Sequence, residues 1–360
     1  MDCRPSNRKF RPPDKIELPG PDAFAQLQAE DFVYVSKYDV RSAFYRLRAP
    51  EWMVPYLAIP RVPGEWFGLE SEWVYPCFTV LPMGHSHSAL LCQEVHAEVL
   101  RRAGFSDEQR IASSGSRWIG KVPRFFVYLD DGGALCCSKE AADDFFERAV
   151  AALRAAGLSV KENKSTPPTL APVVVLGFVF DGGKRAFFPQ PDKLVNLADA
   201  TLALINSNSY ADGALESIVG KFSWCFLGSR MAFSVFNRVY VDIQRGDGSI
   251  SREAREELWT AVGLSPLLCA SWSGALPDVV VSSDASEFGL GVTASDLPDP
   301  RVAMDFWERW RVFPSQEKFD VQSELIIIPG ARLRTIIAAG VKREARIEVL
   351  ALRPMPLSWR

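Results

Sequence analysis

The sequence predicts an α+β fold, and three observations carry that expectation. Phe125-Phe126-Val127-Tyr128-Leu129 runs into Asp130-Asp131 and then Gly132-Gly133, the pattern of a β-hairpin with acids at its tip. Downstream, Ala142, Phe145, Phe146, Ala149, Val150 and Leu153 recur at three- and four-residue steps, the period of an amphipathic helix. Ser138 supplies its N-cap and Gly157 its end. Upstream, Phe32-Val33-Tyr34-Val35-Ser36-Lys37-Tyr38-Asp39 is a second apolar run that ends in a carboxylate. Strand, acidic hairpin, helix and a further strand from Gly157 give an α+β layer.

The acids point to chemistry. Adjacent carboxylates at the end of a buried strand repel each other unless a cation lies between them. Two strands that each deliver an aspartate at the C-terminal end bring Asp39 and Asp130 together if they lie side by side. Such a cluster suits a hard cation such as Mg²⁺, and paired metals serve in-line phosphoryl or nucleotidyl transfer. The plain alternative is a solvated acidic turn that binds nothing. Gly132 and Gly133 are expected to let the chain turn back beside whatever is bound.

The remaining elements follow in order. Residues 1–30 are Pro-rich and basic and read as a flexible arm. Residues 51–78 read as short strands with long turns around Pro60, Pro63 and Gly64, with Trp52, Trp66 and Trp73 as packing residues. Pro82 and Gly84 mark a turn, and Ser86 or Ser88 caps a mostly buried helix built on Ala89, Leu90, Gln93, Val95, Ala97, Val99 and Leu100, ending before Gly104. Residues 104–121 read as an exposed insertion. Breakpoints fall near 185–192 and 271–278, with a helical region between them.

In this order the motifs resemble the palm of reverse transcriptases. Tyr38-Asp39-Val40-Arg41-Ser42-Ala43-Phe44-Tyr45 looks like the first-aspartate motif, and Leu81-Pro82-Met83-Gly84 like the family's Leu-Pro-x-Gly segment, with Gln93 at the later glutamine. Tyr128-Leu129-Asp130-Asp131 is similar to Tyr-x-Asp-Asp. Gly157 to Ser165 resembles the next palm motif, and Val175-Leu176-Gly177-Phe178-Val179-Phe180 the primer-grip hairpin. The segment Ala214 to Trp224 looks like thumb helices. Within the family the chain looks closest to tyrosine-recombinase-type retroelements, with pararetroviruses a little further away. The resemblance implies a right-hand polymerase palm with an antiparallel sheet and packed helices, in which residues 31–188 form fingers and palm and 189–270 a helical thumb or connection.

It also implies roles. Asp39 and Asp130 would hold Mg²⁺, or Mn²⁺, with Asp131 assisting. Phe44 stands where an aromatic screens a ribose 2′-hydroxyl, or else is a core residue, and Met83 and Gly84 lie at the dNTP segment. Lys164 is either a general acid for pyrophosphate or an ordinary loop lysine. Leu176, Gly177 and Phe178 would grip the primer. The implied activity is RNA- and DNA-directed DNA synthesis from dNTPs on a primed template, the chain being a whole product or part of a larger polyprotein. A non-catalytic remnant or domesticated fragment that binds nucleic acid or a partner through the same fold is the alternative.

A second resemblance covers residues 275–360. Val279-Val280-Val281-Ser282-Ser283-Asp284 turns through Gly289-Leu290-Gly291, which reads as a strand kink, and is similar to the first hairpin of retroelement ribonuclease H domains; Glu324 fits its first helix. Asp284 and Glu324 lack the later aspartates of that family, so the expectation is a truncated α/β module without nuclease activity.

Composition sets limits. At 360 residues, two or three domains are expected, and 48% hydrophobic residues support real cores. A net charge of −3 argues against a general basic nucleic-acid binder, though not against a polymerase with a locally basic cleft. No apolar run is long enough for a membrane span, and no apolar signal core opens the chain, so the expected setting is cytoplasmic or nuclear rather than secreted. The seven cysteines form no Cys-x-x-Cys pair and are expected as thiols, and the spacing of His85, His87 and His96 fits no common zinc signature.

Overall fold

The computed structural model describes residues 2–112, 118–207 and 213–273, and the backbone of three further strands within 279–340. The chain divides into two compact units. One comprises residues 1–188 with 271–273, and the other comprises 189–270 with 274–360.

The first unit is built on a four-stranded sheet. Its strands are β1 (Tyr34–Asp39), β2 (Arg124–Tyr128), β3 (Asp131–Cys136) and β4 (Thr166–Thr169), in the order β2-β3-β1-β4. The long β1 is therefore central, flanked by both the acidic hairpin and the later strand. Helices α1 (Ser88–Arg102) and α2 (Lys139–Ala155) pack together, and Tyr38, Val40, Phe125, Val127, Phe145, Ala149 and Leu153 share their core. The Ser138 hydroxyl accepts from Ala141 N–H and caps α2 as expected, while Gly157 takes a left-handed φ of 79° just past its end. Alternate residues of β2 serve two cores. Phe125 stacks on Phe145 on the helical side, whereas Phe126 meets Phe24 edge-on.

That second core is aromatic. It lies under the strands β5 (Val173–Val175), β6 (Phe178–Asp181) and β7 (Ala186–Pro189) and gathers Phe24, Phe178, Phe180, Phe187 and Trp272. The Trp272 indole donates to Phe24 O at 2.9 Å. Residues 2–30 thus do not hang free. Phe24 and Leu27 are 1% exposed, and a short helix, Arg4–Asn7, brings Asn7 against the 84–86 turn.

Other local expectations change for similar reasons. Of the segment 104–121, residues 113–117 lie outside the described residues; the rest is anchored through buried Phe105, Ile111 and Ile119, with Trp118–Ile119 paired to Gln28–Ala29. In α1 the N-cap is His87 and no side chain caps it. Val95 faces outward, and His96 is buried in its place. Trp52, Trp66 and Trp73 are 60%, 69% and 44% exposed, so they are surface rather than packing residues.

The second unit contains helices α3 (Pro191–Asn206), α4 (Ala214–Phe226), α5 (Arg238–Arg245) and α6 (Arg252–Leu264). Leu197, Leu204, Leu215, Phe222, Phe226, Val239 and Leu258 form their core. Pro191 starts α3, where a missing N–H costs nothing. The carboxylate of Glu257 in α6 accepts from the N–H groups of Asn237, Arg238 and Val239 and so caps α5.

The three further strands, β8 (Val279–Ala285), β9 (Gly289–Asp296) and β10 (Arg334–Gly340), form an antiparallel sheet with β9 central. Asp284 pairs in register with Gly291. Gly289 to Gly291 lie within the regular ladder, and the irregularity falls at Val292/Thr293 instead of at the glycines. Glu324 lies outside the described residues. No described helix is long and apolar enough to cross a membrane.

Candidate active site

Antiparallel pairing puts Asp39, the last residue of β1, directly opposite Asp131, the first residue of β3. Direct cross-strand partners present their side chains to the same face. The next amide, Val40 N–H, donates to Asp130 O at 2.8 Å. The three aspartates singled out in the sequence are therefore gathered at one end of one sheet.

The hairpin tip differs from the expected one. Tyr128 pairs with Asp131, so the turn is Leu129–Asp130, and Leu129 takes a left-handed φ of 55°, a position primed hairpin turns normally give to glycine. Gly132 and Gly133 lie inside β3 and make no turn. A β-carbon on Gly132 would sit 2.5 Å from the Tyr38 ring, and one on Gly133 would strike the Ser36 backbone. These glycines let β1 and its tyrosine close onto β3, which is what sets the Asp39–Asp131 register.

The turn is held from α1. Gln93 donates to Val127 O at 2.9 Å and accepts from Leu129 N–H at 2.8 Å. His96 Nδ1 lies 2.8 Å from Leu129 O, and its Nε2 lies 3.1 Å from the Tyr38 hydroxyl.

The charge balance is tight. Burial, and then the charges of Asp130 and Asp39, push the Asp131 carboxyl up to about 6, while Lys37 and Lys164 oppose the shift. Asp39 is 9% exposed. Lys161 Nζ lies 2.5 Å from its Oδ1 and Lys164 Nζ 3.4 Å from its Oδ2. Lys161 was not singled out in the sequence, although it lies in the quoted segment; its N–H also donates to Asp39 O at 2.8 Å.

Among the described residues, no three His, Cys, Asp or Glu side chains converge to close a metal site. The Asp39 carboxylate is drawn to two amines instead. The donor set nevertheless fits a hard divalent cation. All three side chains offer oxygen, they repel one another, and Asp39 Oδ1 is buried with an ion-pair partner but no directed hydrogen bond.

The other expected residues scatter. Phe44 is partly buried between two apolar clusters, one holding Tyr38 and Val40 and the other Met53, Leu57 and Leu81. Met83 is 55% exposed, Gly84 has φ 95°, and Asn7 accepts from Ser86 N–H while donating to Gly84 O. No hydrogen bond or ion pair among the described residues joins Met83 or Gly84 to the aspartates. Leu176 and Gly177, with φ 50° and 83°, form the two-residue turn between β5 and β6. Phe178 is 1% exposed and stacks on Phe187 at 4.6 Å, while Leu176 and Gly177 make the turn itself.

Solved structures carry the same architecture. A foamy viral protease-reverse transcriptase in complex with double-stranded DNA is 17% identical, with TM-score 0.53 over 82% of this chain and 46% of that one. A foamy viral protease-reverse transcriptase in complex with an RNA/DNA hybrid is 16% identical, with TM-score 0.55 over 82% of this chain and 35% of that one. The chain thus has a retroviral reverse-transcriptase-like fold, and it spans less than half the length of these matched structures. No family model and no curated protein matches it.

Proposed function

We propose that this chain is a template-directed DNA polymerase of the reverse transcriptase class, extending a primer 3′-hydroxyl with dNTPs on an RNA or DNA template. The observation that carries this reading is the register that sets Asp39 against Asp131 with Asp130 in the adjoining turn. The fold, matched by nucleic-acid-bound enzymes, supports it. A tyrosine-recombinase-type retroelement origin rests on the sequence motifs alone.

Asp39, Asp130 and Asp131 are the residues that would hold Mg²⁺ or Mn²⁺, which when bound would neutralise phosphate charge and acidify the primer hydroxyl. Lys161 and Lys164 compensate Asp39 in the free protein. Released from it, their ammonium groups suit triphosphate oxygens, and Lys164 becomes a proton source for the leaving pyrophosphate. The half-exposed Leu176–Gly177 turn offers backbone to a primer strand without a bulky side chain at Gly177.

The second reading, a fragment that binds nucleic acid without catalysis, draws on the same two lysines, which neutralise a would-be ligand. Primer extension on an RNA template with dNTPs and Mg²⁺ separates the two. The polymerase reading expects extended products. Tight binding of primer–template without extension, in either Mg²⁺ or Mn²⁺, supports the fragment.

A further inference from the structure

His96 on α1 is a buried histidine that the charge balance of the aspartates does not involve. It is 2% exposed, and both ring nitrogens are engaged. Nδ1 lies 2.8 Å from Leu129 O and Nε2 lies 3.1 Å from the hydroxyl of Tyr38, itself 1% exposed. A backbone carbonyl only accepts, so Nδ1 carries the proton. Nε2 is then the acceptor, and the tyrosine O–H donates to it. One neutral tautomer satisfies every group in this relay, and the other leaves two of them facing each other unpaired. Burial also pushes the imidazole down to about 4, which keeps it neutral.

The two ends of the relay matter. Tyr38 immediately precedes Asp39, and its ring fills the space that Gly132 leaves open. Leu129 immediately precedes Asp130 and holds a backbone conformation that a leucine disfavours. Gln93, three residues before His96 on the same helix face, accepts from Leu129 N–H. Both polar backbone groups of Leu129 are thus held by side chains of one helix. Without the bond to its carbonyl, the turn has one support fewer against a disfavoured φ.

We propose that His96, as the Nδ1–H tautomer, is a positioning residue that locks the left-handed Leu129 and so fixes the Asp130 carboxylate relative to Asp39. The catalytic consequence rests on the polymerase reading, whereas the relay itself does not.

The test uses the full chain and two variants. In His96→Asn the amide nitrogen takes the place of Nδ1 and keeps the donor to Leu129 O. In His96→Leu both bonds are lost at similar bulk. Expected is a fall in kcat for His96→Leu of roughly ten- to a hundredfold, the scale of an ångström-size misplacement of reacting groups. KM for dNTP and primer–template affinity should stay near wild type, and His96→Asn should recover most of the rate. Wild-type kcat in a folded His96→Leu chain, or equal losses in both variants, overturns the proposal. A second measurement stands whether or not the chain extends primers, and whether or not His96→Leu folds. With histidine ¹⁵N labelling, the three histidines can be resolved by NMR in the wild-type chain. The proposal expects His96 protonated on Nδ1 alone, with Nε2 unprotonated. An Nε2–H or charged His96 at neutral pH overturns the relay. Absent extension with the Nδ1–H tautomer present overturns the catalytic consequence and leaves the clamp.

Discussion

Asp39 and Asp131 are direct partners across β1 and β3, and this pairing of like charges is offset by Lys161 and Lys164, which both pair with the Asp39 carboxylate. A strand pair does not gain stability from opposed carboxylates. Three consequences can be measured.

The first is a pH effect. The Asp131 carboxyl is raised to about 6, above the value of roughly 4 expected in an unfolded chain. The folded state therefore binds this proton more tightly. Below about pH 4 both states are protonated and the site is neutral in its effect; as pH rises through the window to about 6, the unfolded state loses the proton first and stability falls. Asp131→Asn should remove that fall. At pH 7 the variant should be more stable than wild type by about 1–2 kcal/mol, the shift being discounted for the partial exposure of the group, and equal to it near pH 4. Urea melts at the two pH values check this, and a variant less stable at pH 7 would contradict it.

The second concerns the cation. If the three aspartates hold a divalent ion, Mg²⁺ or Mn²⁺ binds the folded state alone and raises Tm by mass action. Wild type should shift upward with added Mn²⁺ at pH 7.5, and Asp39→Asn should shift much less. Equal shifts in the two proteins would place the ion elsewhere.

The third concerns the glycines. A methyl group on Gly132 would meet the Tyr38 ring, so Gly132→Ala should destabilise by about 1–3 kcal/mol through overpacking. Gly220 in α4 has open space around a Cβ, and Gly220→Ala should stabilise by about 0.5–1 kcal/mol. Thermal melts of the pair give opposite signs if the close approach of β1 and β3 is correctly described.

These glycines also show where the sequence stopped being legible. The hairpin, the cap at Ser138 and the α2 face follow from local pattern, because period and turn chemistry are encoded within a dozen residues. Gly132 was misread as part of the turn because the reason for it, the Tyr38 ring, comes from a distant strand. The burial of Phe178 was not legible either, because a β-strand buried on both faces has no alternation to reveal it. The exposed Trp66 and the anchored Phe24 failed in opposite directions, since residue type alone does not say which aromatic finds a partner. Lys161 and Lys164 lie in one short segment, and only the geometry of the loop between α2 and β4 shows that Lys161 is the nearer to Asp39. His96 did leave a signal, three residues after Gln93 on one helix face.

Phe44 tests a role the fold leaves open to experiment. It bridges two apolar clusters while remaining partly exposed, so Phe44→Ala should cost about 2 kcal/mol, less than a fully buried phenylalanine. If its open face also meets the sugar of a bound nucleotide, the same variant should incorporate ribonucleotides more readily. A lower Tm with an unchanged ratio of ribo- to deoxynucleotide incorporation would leave it a core residue only.

The most direct measurement is primer extension by Asp130→Asn beside wild type, on an RNA template with dNTPs and Mg²⁺, with melting and primer–template binding recorded on the same samples. Asparagine keeps the shape of the turn and removes the charge. The account predicts extension by wild type and none by the variant, at similar Tm and similar affinity for the primer–template. Extension by Asp130→Asn at the wild-type rate would contradict it, because the chemistry would then lie outside the acidic hairpin.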